Sequence, residues 1–256
     1  MQKLLDILNL PTDCLANQSL TKAFFKRNFD LLTADNRLLD DPEMIVKMDI
    51  VATIKPENAN IAPVISEQAT YEEILVLAIQ TRPENLNKQH KTIAQFIQKF
   101  IPYHLLLCIY AGDDFVLNTC EKHINQNDKN KRTLVKAYYT EPMSFFTPSA
   151  EQAAFIKSLN FKQLDKTNLK TLYDDYICRM IALQTTQITG NFTVRRPERS
   201  KEEVECLEKI EELRAEIIAL QSLAKKETQL NRHIELNAQV QNKKKEITSL
   251  TQQITA

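Results

Sequence analysis

From Lys201 to Ala256 the chain has no glycine, proline, phenylalanine or tyrosine, and it is dense in glutamate, lysine, glutamine and leucine. Nothing in such a stretch breaks a helix, so it reads as long helix and its apolar positions decide what that helix does. Ile210, Leu213, Ile217, Leu220 and Ala224 follow one another at alternating steps of three and four, the spacing of a coiled-coil seam. Leu236, Val240, Ile247, Leu250 and Ile254 repeat the pattern in a register shifted by two residues. The shift falls near KKETQLNRH, which permits one helix with a rotating apolar face or a helical hairpin bent around Lys225 to Gln229, the preferred reading. Glu227 and Lys243 at seam positions weaken self-association. An arm of this kind therefore calls for a specific protein partner, its own other half or a second copy of the chain.

Residues 1 to 190 read differently, as an α+β domain, with residues 191 to 200 a linker and 201 to 256 the coiled-coil arm. Met44 to Ile54 and Glu73 to Thr81 are strand-like, the second a nearly continuous apolar run of the kind buried on both faces. In NKQHKTIAQFIQKF, Ile93, Phe96, Ile97 and Phe100 recur at helical spacing, with Pro102 as a stop. LLLCIY and FVLNTC flank Ala111-Gly112-Asp113-Asp114, the pattern of a hairpin, and Thr133 to Thr140 reads as a further strand. A mixed sheet of about five strands with packed helices follows. Ser19 is the expected N-cap of a helix through AFFKRNFDLL, and NLKTLYDDYICRMIAL is the helix that closes the domain.

The chemistry this sequence excludes is clearer than the chemistry it offers. Two glycines, Gly112 and Gly190, lie too far apart for a phosphate-cradling loop, so Walker and Rossmann sites are ruled out. No serine sits in a GxSxG elbow, and His90, His104, His123 and His233 form no ligand pair. The five cysteines show no CxxC spacing and read as reduced, mostly buried thiols. Lysine plus arginine and aspartate plus glutamate number 33 each, so no overall field draws the chain to a polyanion. Arg195, Arg196, Arg199 and Lys243 to Lys245 stand among compensating acids and amides, a solvated surface rather than a nucleic-acid footprint. The one reactive alternative is a divergent restriction-type nuclease, in which two carboxylates on neighbouring strands hold magnesium; Asp49, Glu73 and Gln80 are its candidates. Gln80-Thr81-Arg82 is a degenerate version of the acid-x-lysine element, and the plain reading is a strand ending in solvent. No cofactor and no metal are expected. No stretch approaches the ~18 apolar residues of a membrane span, so a cytoplasmic location is expected.

Four stretches, LNLP with LTKAFFKRNF, YEEILVLAIQ, IAQFIQKFIPYHLLLCIY and KKETQLNRHIELN, together resemble a bacterial domain-of-unknown-function family, number 4391. The resemblance covers most of the chain and includes no catalytic signature. It implies a non-catalytic accessory subunit of a restriction-modification-like or anti-phage defence system, with a helicase-type ATPase or a DNA methyltransferase as partner. On that reading the globular domain and the coiled coil bind the partner, the coiled coil joins copies of the chain, and any contact with DNA is indirect.

Overall fold

A computed structural model describes residues 2–128 and 131–255. The chain divides into two compact units, Met1–Met180 and Ile181–Ala256.

The first unit is built on a mixed sheet. Its strands are β1 (Leu15–Ser19), β2 (Lys47–Ile54), β5 (Ile74–Gln80), β6 (His104–Ala111), β7 (Asp114–Ile124), β8 (Arg132–Tyr139) and β9 (Met143–Ser144); β3 (Val64–Ile65) and β4 (Thr70–Tyr71) form a separate two-stranded ribbon. The order across the sheet is β1-β2-β5-β6-β7-β8, and β9 pairs with the start of β7. Every neighbouring pair is antiparallel except β5 and β6, which run parallel in register from Ile74 opposite His104 to Gln80 opposite Tyr110. A parallel pair needs a crossover, and helix α5 (Pro83–Phe100) supplies it. The shorter helices are α1 (Gln2–Leu8), α2 (Lys22–Asn28), α3 (Thr33–Asp40), α4 (Pro56–Ala59) and α6 (Ala150–Ser158), and α7 (Leu169–Thr189) runs across the boundary between the units.

The period-two geometry of a strand explains why β5 is apolar throughout. Leu75, Leu77 and Ile79 face α5 and pack with Ile93, Ile97, Leu105, Leu107 and Ile109. Ile74, Val76 and Ala78 point to the opposite face and are equally buried. Side chains such as Leu77 and Ile79, with no exposed surface, each contribute roughly 1.5–3 kcal/mol by leaving water. On the opposite face the Tyr173 hydroxyl of α7 reaches the sheet backbone, donating to the carbonyls of Leu105 at 3.0 Å and Cys120 at 3.1 Å. Gly112 and Asp113 make the two-residue turn between β6 and β7; Gly112 has φ +62°, a left-handed conformation that a side chain disfavours.

Several expectations need correction. The sheet has seven strands, not about five: β1 and the two-residue β9 carry no apolar alternation to announce them. Ser19 is no N-cap. It closes β1 opposite Asp49, and Thr21 caps α2 by accepting from the Phe24 N–H at 3.2 Å. The helix expected through AFFKRNFDLL stops at Asn28, because Phe29 is extended and packs its ring against Phe24 and Phe100.

In the second unit, α8 (Pro197–Lys226) and α9 (Leu230–Thr255) are joined by a three-residue turn, Glu227–Gln229, and pack against each other. Glu227 lies in that turn, where its carboxylate accepts from the Gln229 N–H at 2.8 Å, so it is not a seam residue. An ion pair between Glu216 and Lys243, and a contact of 3.6 Å from Cys206 Sγ to Gln253 Oε1, tie the helices in antiparallel order.

Candidate functional site

The residues singled out for reaction chemistry fall in two places. Asp49 and Lys47 project from β2 on the face of the sheet away from α5, beside Gln80 and Tyr110: Lys47 pairs with Gln80, Asp49 with Ala78, and Gln80 with Tyr110. These side chains meet at the carboxyl ends of the parallel pair β5 and β6, close to where α5 begins, the position where open sheets often hold a site. Asp49 is 4 % exposed and its Oδ2 lies 2.8 Å from Lys47 Nζ. The Asp49 carboxylate pulls the Lys47 ammonium above its usual range, while burial, then Asp49, raises the Tyr110 phenol.

Glu73 is elsewhere. It precedes the first residue of β5 and Gln80 is the last, seven steps further along, roughly 23 Å at the usual rise. Its carboxylate is engaged by Lys55 at 2.8 Å. Asp49, Glu73 and Gln80 are therefore not brought together; the spot around Asp49 has one carboxylate, one ammonium, one amide and one phenol. Among the described residues no group of three or more histidine, cysteine, aspartate or glutamate side chains is placed to hold a metal ion.

The residues named for partner binding sit in the arm. Ile210, Leu213, Ile217, Leu236, Val240 and Ile254 are buried, and Leu220, Ile247 and Leu250 are half-buried. They share the faces on which α8 and α9 pack, so the apolar seam joins the arm's own two halves. Four other large apolar side chains of the arm stay in water: Ile218, Leu223, Leu230 and Ile234 are each more than half exposed, and they cluster in sequence on both sides of the turn. Two of the three arginines around the start of α8 are ion-paired. Glu203 faces Arg195 at 3.5 Å and Arg199 at 3.7 Å, and Arg199 also meets Glu202 at 3.3 Å.

One buried cation was not among the sequence candidates. Lys122, on β7, is 1 % exposed, and its ammonium donates to the carbonyls of Ile101 at 2.7 Å and Tyr103 at 2.8 Å. Burial pulls it down to about 7, with Arg132 adding to the fall. The neighbouring His104 ring stacks on Tyr71, with centroids 3.9 Å apart, and is driven to about 3 by burial and by Lys122. The signal that could have found it is the odd position of Lys122 in the alternation of EKHI, which becomes inward-facing once β7 is extended past Cys120.

The fold and these sites define a mixed-sheet α+β domain carrying a helical hairpin. A family described as Domain of unknown function (DUF4391) matches residues 8–247, and the chain belongs to that family. No curated protein and no solved structure matches it. No helix among the described residues is long and apolar enough to cross a membrane.

Proposed function

We propose that this chain is a non-catalytic accessory subunit that joins other proteins, in a bacterial restriction-modification-like or anti-phage defence complex whose partner is a helicase-type ATPase or a DNA methyltransferase. The observation that carries this reading is the arm. Two helices of 30 and 26 residues bury a common seam and still present Ile218, Leu223, Leu230 and Ile234 to water around their turn. Large apolar side chains held exposed on a rigid element serve binding better than they serve folding. The hairpin acts as an antiparallel coiled coil that satisfies its own seam, so the partner reads the outer surface near the turn. The assay is co-purification with a helicase-type ATPase or a DNA methyltransferase from the source cell. Replacing the four exposed residues with serine, which leaves the seam intact, is expected to abolish capture while the far-ultraviolet spectrum stays helical. Undiminished capture with all four replaced refutes the arm's role.

A second reading has one specific observation in its favour. An antiparallel pair, β2 and β5, followed by a helical crossover into parallel β6, with Asp49 on the first strand and Gln80 on the second, is the layout that a divergent restriction-type nuclease would use. The lone carboxylate at that spot weighs against it, since two are needed to neutralise a divalent ion effectively. Incubation of the purified complex with DNA and magnesium or manganese separates the readings. Cleavage that disappears in Asp49→Ala, with the fold retained, would establish the nuclease and overturn the accessory role.

A further inference from the structure

On the α5 side of the sheet a cleft of about 480 Å³ opens between α2 and the segment that leads into β6. Its floor is the sheet itself: Ile50 of β2 is paired with Leu77 of β5, and Leu75 lies beside them on the same face. Phe24 and Phe29 form one wall, and Ile101-Pro102-Tyr103 the other. Leu77 has no exposed surface, whereas Tyr103 is 45 % exposed, so the cleft runs from a dry base to a polar mouth. The volume falls in the range that small organic ligands fill.

The charge around the cleft is one-sided. The polar lining consists of Gln18, Ser19, Thr21, Asn28, Tyr103 and Arg27, with no acid among them. Arg27 is exposed and forms no ion pair among the described residues, although its neighbour Lys26 is paired with Asp40 at 2.6 Å. The opposite wall is held from behind by the buried Lys122 side chain, whose Nζ donates to the carbonyls of Ile101 and Tyr103. Those two bonds also fix the wall, so the cleft needs little reorganisation before it is filled. An apolar base, a neutral polar rim and the exposed Arg27 guanidinium at the mouth select for a flat or aliphatic body that carries one negative group.

We propose that this cleft binds a small amphipathic organic anion, its apolar body against Phe24, Phe29, Ile50 and Leu75 and its anionic group at Arg27. The proposal is independent of the accessory role, which is placed on the arm. Two dyes of nearly the same shape test it on the full-length protein: anilinonaphthalene sulfonate, which has the anionic group, and phenyl-naphthylamine, which lacks it. Fluorescence titration at low salt is expected to show the sulfonate binding about fivefold more tightly than the neutral dye, the scale of one exposed charge contact. Arg27→Gln is expected to bring the two affinities together by weakening only the sulfonate. Asn28→Trp, at the rim, is expected to reduce binding of both dyes by blocking the mouth. Equal affinities in the unaltered protein, an affinity ratio that survives Arg27→Gln, or binding of both dyes unchanged by Asn28→Trp would each overturn the assignment, as would the absence of binding.

Discussion

Lys122 makes the stability of this protein depend on pH in a direction opposite to that of most lysines. A lysine that gains a carboxylate partner on folding has its proton held more tightly in the native state, and its contribution fades as pH rises. Among the described residues no carboxylate pairs with Lys122; it is 1 % exposed and rests on two carbonyl oxygens, and burial draws its ammonium from 10.5 to about 7. The unfolded chain therefore binds this proton more strongly than the folded one, and stability rises with pH between about 7 and 10.5. At 1.36 kcal/mol for each tenfold change, the full penalty below that window is about 5 kcal/mol. Between pH 7 and pH 9 the recovered part is about 2 kcal/mol. Urea unfolding followed by tyrosine fluorescence measures it, with Lys122→Met as the reference. Methionine keeps the length of the side chain and removes the proton, and His104, which Lys122 also holds down, titrates far below the pH 7 to 9 window, so the other groups largely cancel there in the difference between the two proteins. The variant leaves two carbonyls without a donor, which lowers its stability by an amount that does not vary with pH. The unaltered protein should gain about 2 kcal/mol on the variant across the window. A difference that stays flat, or falls, would show that the ammonium is not desolvated as described.

Other outcomes follow from single contacts. Tyr173→Phe removes a hydroxyl that donates to the Leu105 and Cys120 carbonyls and accepts the Cys120 N–H at 2.9 Å, so urea unfolding should show a loss of about 2 kcal/mol. Gly112→Ala forces a side chain into φ +62°, and although the space beside it is open, calorimetry should show about 1 kcal/mol of destabilisation. A thiol reagent added to the native protein should label Cys206 first, since Cys14, Cys108, Cys120 and Cys178 are buried and burial raises the Cys108 thiol to about 12; Cys206→Ser should remove the fast phase. Leu213→Ala with Val240→Ala should loosen the arm by several kcal/mol in total and reduce helical ellipticity, leaving the tyrosine-reported transition of the first unit in place.

What the sequence disclosed depended on whether a residue's role leaves a periodic trace. The apolar run of β5, the turn at Gly112 and the three-four spacing of the arm all do, and the structure has a strand, a hairpin and two long helices at those positions. β1 does not: LANQS is an edge strand that shows most of its side chains to water, so neither period two nor hydrophobicity marks it. The break at Phe29 was equally hidden, because aromatic residues along FFKRNF satisfy a helical stripe while the ring of Phe29 is in fact used across elements, against Phe100. Lys122 escaped for the opposite reason. A lysine near a strand end is ordinarily solvated, and only the carbonyls of Ile101 and Tyr103, some twenty positions away in the chain, give it a reason to be inside.

The same distinction separates the two functional readings. The order of an acid on one strand and a polar residue on the next survives in β2 and β5, because topology fixes which strands are neighbours. Side-chain direction then decides the chemistry. The second acid would have to stand where Ala78 faces Asp49, or at Gln80; Glu73 lies at the other end of the strand, neutralised by Lys55. Alanine at that position leaves no charge to share with a divalent ion, and Lys47 instead supplies the counter-charge that Asp49 needs once it is 4 % exposed. The pair accordingly works as a salt bridge at the end of the sheet with Lys47 half in water, and Asp49→Ala should leave Lys47 to the solvent without altering any capture by the arm. The arm has no such internal balance at its tip, where Ile218, Leu223, Leu230 and Ile234 gain nothing from the fold. That asymmetry, a carboxylate with its counter-charge beside it and an apolar surface with none, is the physical ground for the proposal that the arm binds a partner.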